Sequence, residues 1–212
     1  MSKLRLSITM SLDSYVAGSH QSKENPLGVG GMELHEWAFP LKEFREMHGE
    51  QGGETNANSS VVQERCANIG ATIVGRNMFG GGTGPWEDDP WPGWWGEDPP
   101  YHTPVFVLTH HPREPLAMEG GTIFHFVTQG FDAAYAQARE TAGEDGIDIA
   151  GGASTVRQAL AAEVIDELTL DVVPVLLGSG ERLFDGVESF GFEPVEVLHS
   201  ALATHIRYRR AG

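Results

Sequence analysis

Cysteine is almost missing from this chain. Cys66 stands alone, so no intrachain disulfide can form, and the expected setting is a reducing compartment such as the cytoplasm. Cations are scarce too. Lys and Arg number 14 against 30 Asp and Glu, a formal net charge of −16, which argues against a nucleic-acid binder or a membrane-surface protein because both need clustered Lys and Arg. No apolar run approaches the roughly 18 residues that a membrane-spanning helix needs. The first residues run straight into an alternating pattern, without the charged start, apolar stretch and cleavage site of a secretory signal. His110 and His111 are adjacent but lack the wider spacing and supporting ligands of a zinc site, so no metal is expected. Neither the G-x-G-x-x-G fingerprint nor a P-loop occurs.

What is present fits one ordinary core. With 212 residues, 40% hydrophobic content, five Trp and ten Phe, a single globular domain over residues 1–212 is expected, with loop insertions near 18–58 and 80–103. In so acidic a chain an anionic ligand needs local help, from a few placed Arg or His side chains or from N–H groups at a helix N-terminus.

Leu4, Leu6, Ile8 and Met10 alternate with polar residues, the period of a strand with one apolar face. Residues 18–32 read as a loop, and Pro40 interrupts the apolar spacing of 34–47. A polar run over 49–58 is expected to be a mobile insertion. Ser60 and Gln63 form a capping-box pattern for a helix carrying Val62, Cys66 and Ile69, with Gly70 where a C-terminal cap is expected. Strands are expected at 71–74, 105–108, 122–127, 147–150 and 168–173, and helices at 132–142, stopped by Gly143, and from Ser154 or Thr155. The stretch 80–100, rich in Gly, Pro and Trp, must be a loop. Segments 195–198 and 204–208 close the chain as an antiparallel hairpin. The class is α/β, with a mainly parallel sheet and an antiparallel C-terminal edge.

Three strand ends carry chemistry. Ile149-Ala150-Gly151-Gly152-Ala153-Ser154-Thr155 turns a strand directly into a helix, leaving N–H groups bare for a pyrophosphate; a plain glycine turn with a capped helix is the other reading. Ile73-Val74-Gly75-Arg76 places a rare cation at a strand's C-terminal end, where open α/β sheets bind ligands; a surface salt bridge is the other reading. Leu108-Thr109-His110-His111-Pro112-Arg113 offers hydrogen bonds to a phosphate at the next strand end.

In this order the three stretches resemble the dihydrofolate reductase-like superfamily, and more closely its branch related to the reductase domain of bacterial riboflavin biosynthesis. Ser11-Leu12-Asp13-Ser14-Tyr15-Val16-Ala17 resembles that branch's opening S-L-D-G-x-I-A, and Gly75-Arg76 and Gly151-Gly152 its G-R turn and double glycine. Ile165-Asp166-Glu167-Leu168 through Pro174-Val175-Leu176-Leu177-Gly178-Ser179-Gly180 and Leu183-Phe184 resembles its V-D-E-L…P-V-L-L-G-x-G…L-F signature. The resemblance spans nearly the whole chain. It implies a three-layer fold and an NADPH-dependent reductase like 5-amino-6-(5-phosphoribosylamino)uracil reductase, sending hydride to a C=N carbon of a pteridine-like or aminopyrimidine substrate. It also implies a small-molecule partner and a homodimer. NADPH would lie across the strand ends: Gly151, Gly152, Ala153, Ser154 and Thr155 at its pyrophosphate; Gly75, Arg76, Thr109 and His110 at the adenosine phosphates; Thr9, Val16 and Ala17 beside the nicotinamide.

The departures bear on substrate. The branch carries Glu before the double glycine, where this chain has Ala150. Asp13 and Glu36 are the candidate catalytic carboxylates, each with a structural reading beside it: a turn Asp bonding its own backbone, and a solvated helix face. The Trp-rich loop is extra. Trp86 and Trp94 are its candidate substrate residues, with a dimer contact as the competing role. A folate or pterin reductase is the nearer alternative activity, and a non-catalytic NADP-binding sensor or interaction module the alternative of another class.

Overall fold

The protein is described here by a computed structural model covering residues 2–80, 82, 84–87, 92–188 and 191–211. Trp91 of the Trp-rich loop lies outside the described residues. The chain runs through β1 (Leu4–Met10), β2 (Tyr15–Gly18), α1 (Lys42–Met47), α2 (Ser59–Cys66), β3 (Ile69–Gly75), α3 (Arg76–Phe79), β4 (Pro104–Leu108), β5 (Leu116–Ala117) and β6 (Ile123–Val127). It continues through α4 (Phe131–Ala142), β7 (Gly146–Gly151), α5 (Ala153–Ala161), β8 (Glu167–Val172), β9 (Gly180–Arg182), β10 (Phe192–His199) and β11 (Thr204–Arg210).

Among the described residues, nine strands form the central sheet in the order β10-β11-β8-β1-β7-β3-β4-β6-β5. Its middle is parallel, from β8 through β6. The expected hairpin makes one antiparallel edge, and the two-residue β5 adds a second at the opposite side. β2 and β9 pair separately as a small antiparallel ribbon that the sequence patterns did not show.

Alternation along the strands sets the layers. Leu4, Leu6, Ile73, Ile147, Ile149, Leu168 and Leu170 face α4 and α5, where they meet Ala134, Ala138, Val156 and Leu160 in the principal core. Each fully buried Leu or Ile there contributes about 1.5–3 kcal/mol. The opposite face is split. Leu34, Trp37, Leu41 and Val62 pack with Val173 and Ala203 beneath α2, while Val74, Val105, Val107 and Phe124 pack with Phe79, Trp86, Trp95 and Tyr101. The result is helices on both sides of one sheet, the three-layer arrangement expected.

Two helix-end readings are corrected. α2 begins at Ser59 after Asn58 and has no side-chain cap; Ser60 Oγ instead donates to the Ala57 carbonyl at 3.4 Å, and Gln63 Nε2 donates to Glu43 Oε1 at 3.1 Å. Packing of α2 against α1 takes Gln63 away from the box. Gly70 does not end the helix: it lies within β3, where a Cβ would come 2.9 Å from Ala142, and Asn68, with φ 55, makes the left-handed turn two residues earlier. Around Pro40 the chain forms a 3-10 turn at Gly31–His35 and then α1, so the expected break is real.

Candidate active site

Because β1, β3, β4, β6 and β7 run parallel, their C-terminal ends open on one edge of the sheet. A cleft of about 860 Å³ runs along that edge. Its lining includes every residue assigned above to a cofactor: Thr9 near the end of β1, Val16 and Ala17 in β2, Gly75 and Arg76 where β3 turns into α3, Thr109 and His110 after β4, and Gly151 through Thr155 where β7 turns into α5.

The Gly-Gly turn has the shape of a cradle. Gly151 takes φ 140, which side-chain-bearing residues avoid, and a Cβ on Gly152 would meet no atom within 4 Å. No side chain caps α5, so the N–H groups of its first turn are left to the cleft. Gly75 packs against the same helix, where a Cβ would stand 2.7 Å from the Thr155 hydroxyl. These features fit a dinucleotide pyrophosphate.

Beside the cradle, Arg76 is only 8% exposed. Its guanidinium donates to the Gly80 carbonyl and lies 3.5 Å from the centre of the Trp86 ring. Arg113 stands 4.8 Å from the same ring. Burial, and then the charge of Arg113, bring Arg76 down to about 10, so two cations crowd one aromatic ring and favour an anion nearby. His110 is exposed at the rim, while the Thr109 hydroxyl accepts from the His111 amide at 3.2 Å.

At the other end the walls are aromatic. Phe44 stacks on His48 with centroids 4.4 Å apart, Phe39 meets Phe44 edge-on at 5.5 Å, and Trp95 meets Tyr101 edge-on at 5.1 Å. All five line the cleft, as does Trp94. Burial pushes the Tyr101 hydroxyl up and brings His35 down to about 4, so both stay neutral near pH 7.

Three sequence candidates sit elsewhere. Asp13 does not line the cleft: its carboxylate accepts from Ser11 Oγ at 2.6 Å and from the Gly178 and Leu177 amides at 2.8 and 3.1 Å, tying the β1–β2 turn to the loop before β9. The Ser11 hydrogen bond in particular holds it below the usual carboxylate range, the wrong direction for a proton donor. Glu36 is exposed and outside the lining, because the 3-10 turn buries Leu34 and Trp37 instead. Trp86 is also outside it. Its Nε1 donates to the His111 carbonyl at 3.0 Å and its ring packs on Phe79 and Phe126, beneath the Arg76 guanidinium.

Trp95, Tyr101, Phe44 and Asp148 were not singled out from the sequence. For Asp148 a signal existed, since strand alternation places it on the same face as Ala150.

Comparison with known proteins gives one family. The model of the RibD C-terminal domain matches residues 2–201. No curated protein sequence matches the chain. Among solved structures, a Shewanella protein assigned to riboflavin biosynthesis superposes with TM-score 0.61 at 22% identity over 99% of both chains. RibD of Acinetobacter baumannii gives TM-score 0.60 at 18% identity, covering 100% of this chain but 59% of its own length. Dihydrofolate reductase of Enterococcus faecalis, solved with NADP(H), gives 0.52 at 14% identity over 99% of this chain and 97% of that one. At such identities these structures speak for a shared fold.

Proposed function

This chain belongs to the RibD C-terminal domain family and is an oxidoreductase, and from that premise we propose an NADPH-dependent reductase acting on a C=N carbon of an aminopyrimidine or pteridine-like ring. The observation that carries the reading is convergence: residues from β1, β2, β3, β4 and β7, far apart in sequence, meet around one cleft with an uncapped helix N-terminus at its centre.

NADPH, when bound, supplies the hydride. The chain's own part is to hold and to exclude. The α5 N–H groups would hold the pyrophosphate, and Gly152 leaves room for it. Arg76, with Arg113 behind it, would take the ribose 2′-phosphate that separates NADPH from NADH. Phe44, Trp95 and Tyr101 would press a planar ring into place and keep water out. The folate or pterin reductase and sensor alternatives have no observation of their own to favour them.

Titration of the purified protein with NADPH and NADH, read by nicotinamide fluorescence, tests the cofactor site. NADPH should bind about tenfold or more tighter than NADH, and Arg76→Ala should bring the two within a few-fold of each other. Binding of neither nucleotide would sink the reading.

The proposal extends to a cytoplasmic homodimer. No described helix is long and apolar enough to cross a membrane. The outer strand β10 carries Val195 and Val197, 49% and 61% exposed, on an open edge that a second copy could cover. Light scattering should give twice the chain mass, and Val197→Lys should shift it toward monomer.

A further inference from the structure

Asp148 lies on β7, three residues before Gly151, and lines the cleft together with Ala150. Its neighbours in the sheet are Arg5 and Thr72. The nearby guanidiniums hydrogen-bond to other groups, with Nε of Arg65 left without a partner among the described residues. Arg5 donates to the carbonyls of Glu64, Ala67 and Asn68 at the end of α2, and Arg65 pairs with Asp171. Among the described residues no group hydrogen-bonds to the Asp148 carboxyl. Asp148 is half-buried at the wall of the cleft, so a ligand that fills the cleft takes its carboxylate out of water, a cost that donors on the ligand offset.

We propose that Asp148 reads the substrate ring, its two carboxylate oxygens accepting a pair of parallel N–H donors from an aminopyrimidine edge while the aromatic wall holds the ring plane. This assignment rests on the reductase reading insofar as the adjacent Gly-Gly turn is taken as the cofactor's. It names the substrate class by its donor edge.

Desolvation pushes Asp148 up to about 6, with Arg65 and then Arg5 pulling the other way. Cys66 and Tyr101 also feel its charge, and Glu64 and Glu167 share a smaller neighbouring cavity with it. His35, already neutral, does not titrate in the same window. The ionised form, which accepts two donors, predominates above about pH 6 and declines progressively below it.

The test uses isocytosine, which presents two parallel N–H donors, against 2-methylpyrimidine, which presents none, with binding to the whole protein measured by calorimetry. Isocytosine should bind about tenfold or more tighter at pH 7.5, and its affinity should fall about tenfold by pH 5 while that of 2-methylpyrimidine stays level. Asp148→Asn should remove both the preference and the pH dependence, with its melting temperature checking the fold. Equal binding of the two probes, no binding of isocytosine, or a pH dependence that survives in Asp148→Asn would overturn the proposal. The first two arms need only the unaltered protein. A parallel NADPH titration separates the readings: isocytosine bound through Asp148 without any NADPH binding removes the reductase reading and leaves the ring site.

Discussion

Asp171→Ala is expected to lower the unfolding free energy by about 3 kcal/mol or more, the cost of breaking a buried ion pair by removing one partner. Asp171 is 0% exposed. It accepts from Thr9 Oγ1 at 2.9 Å, pairs with Arg65, and hydrogen-bonds His205 Nδ1 at 2.6 Å; His205 Nε2 in turn meets Asn58 Oδ1 at 3.2 Å. Trp37 closes the group from above, 5.2 Å from the Arg65 guanidinium and 4.7 Å from the His205 ring. Removing the carboxylate leaves Arg65 without its counter-charge and Thr9, a cleft residue, without its acceptor. Asp171→Asn keeps the shape and should cost less.

The same carboxyl sets a pH dependence. Burial alone would raise it, but Arg65 and then His205 outweigh burial and hold it below its usual value. A carboxyl whose pKa is lower folded than unfolded adds stability that is present above about pH 4 and is lost as pH falls through the folded value. Urea unfolding of the unaltered protein should therefore show an acid-side loss of stability, and Asp171→Ala should show less of it.

Gly152→Asp is expected to weaken NADPH binding about 100-fold while moving the melting temperature by only a few degrees. The Cβ has open space, so the fold tolerates it, but the carboxylate would stand where a pyrophosphate must come, and like charges a few ångströms apart at intermediate dielectric repel by several kcal/mol. Gly152→Ala isolates the backbone contribution and should lose far less. Equal losses in the two variants would mean that a Cβ, rather than charge, closes the cradle, and no loss in either would place the nucleotide elsewhere.

Legibility in the sequence followed length and locality. β1, β3, β4, β7 and β8 are buried strands with clear apolar patterns, and each was readable. β2, β5 and β9 have four, two and three residues, too few for a period of two to register, and they exist because a partner strand is held beside them. The capping box failed for a related reason: the pattern was local, but α1 brings Glu43 close enough to draw Gln63 away as a donor.

The sequence by itself determined the α/β class, the parallel middle of the sheet and the glycine and arginine turns at its strand ends, because hydrophobic period and backbone freedom are properties of neighbouring residues. The three-dimensional packing alone decided what those turns face. Arg65 and Asp171 are 106 residues apart and Asn58 and His205 are 147 apart, and the cleft's far wall joins α1, β7 and the loop before β4. Whether a carboxylate is paired depends on which donors the fold brings to it, as Asp171, met by Arg65, His205 and Thr9, shows.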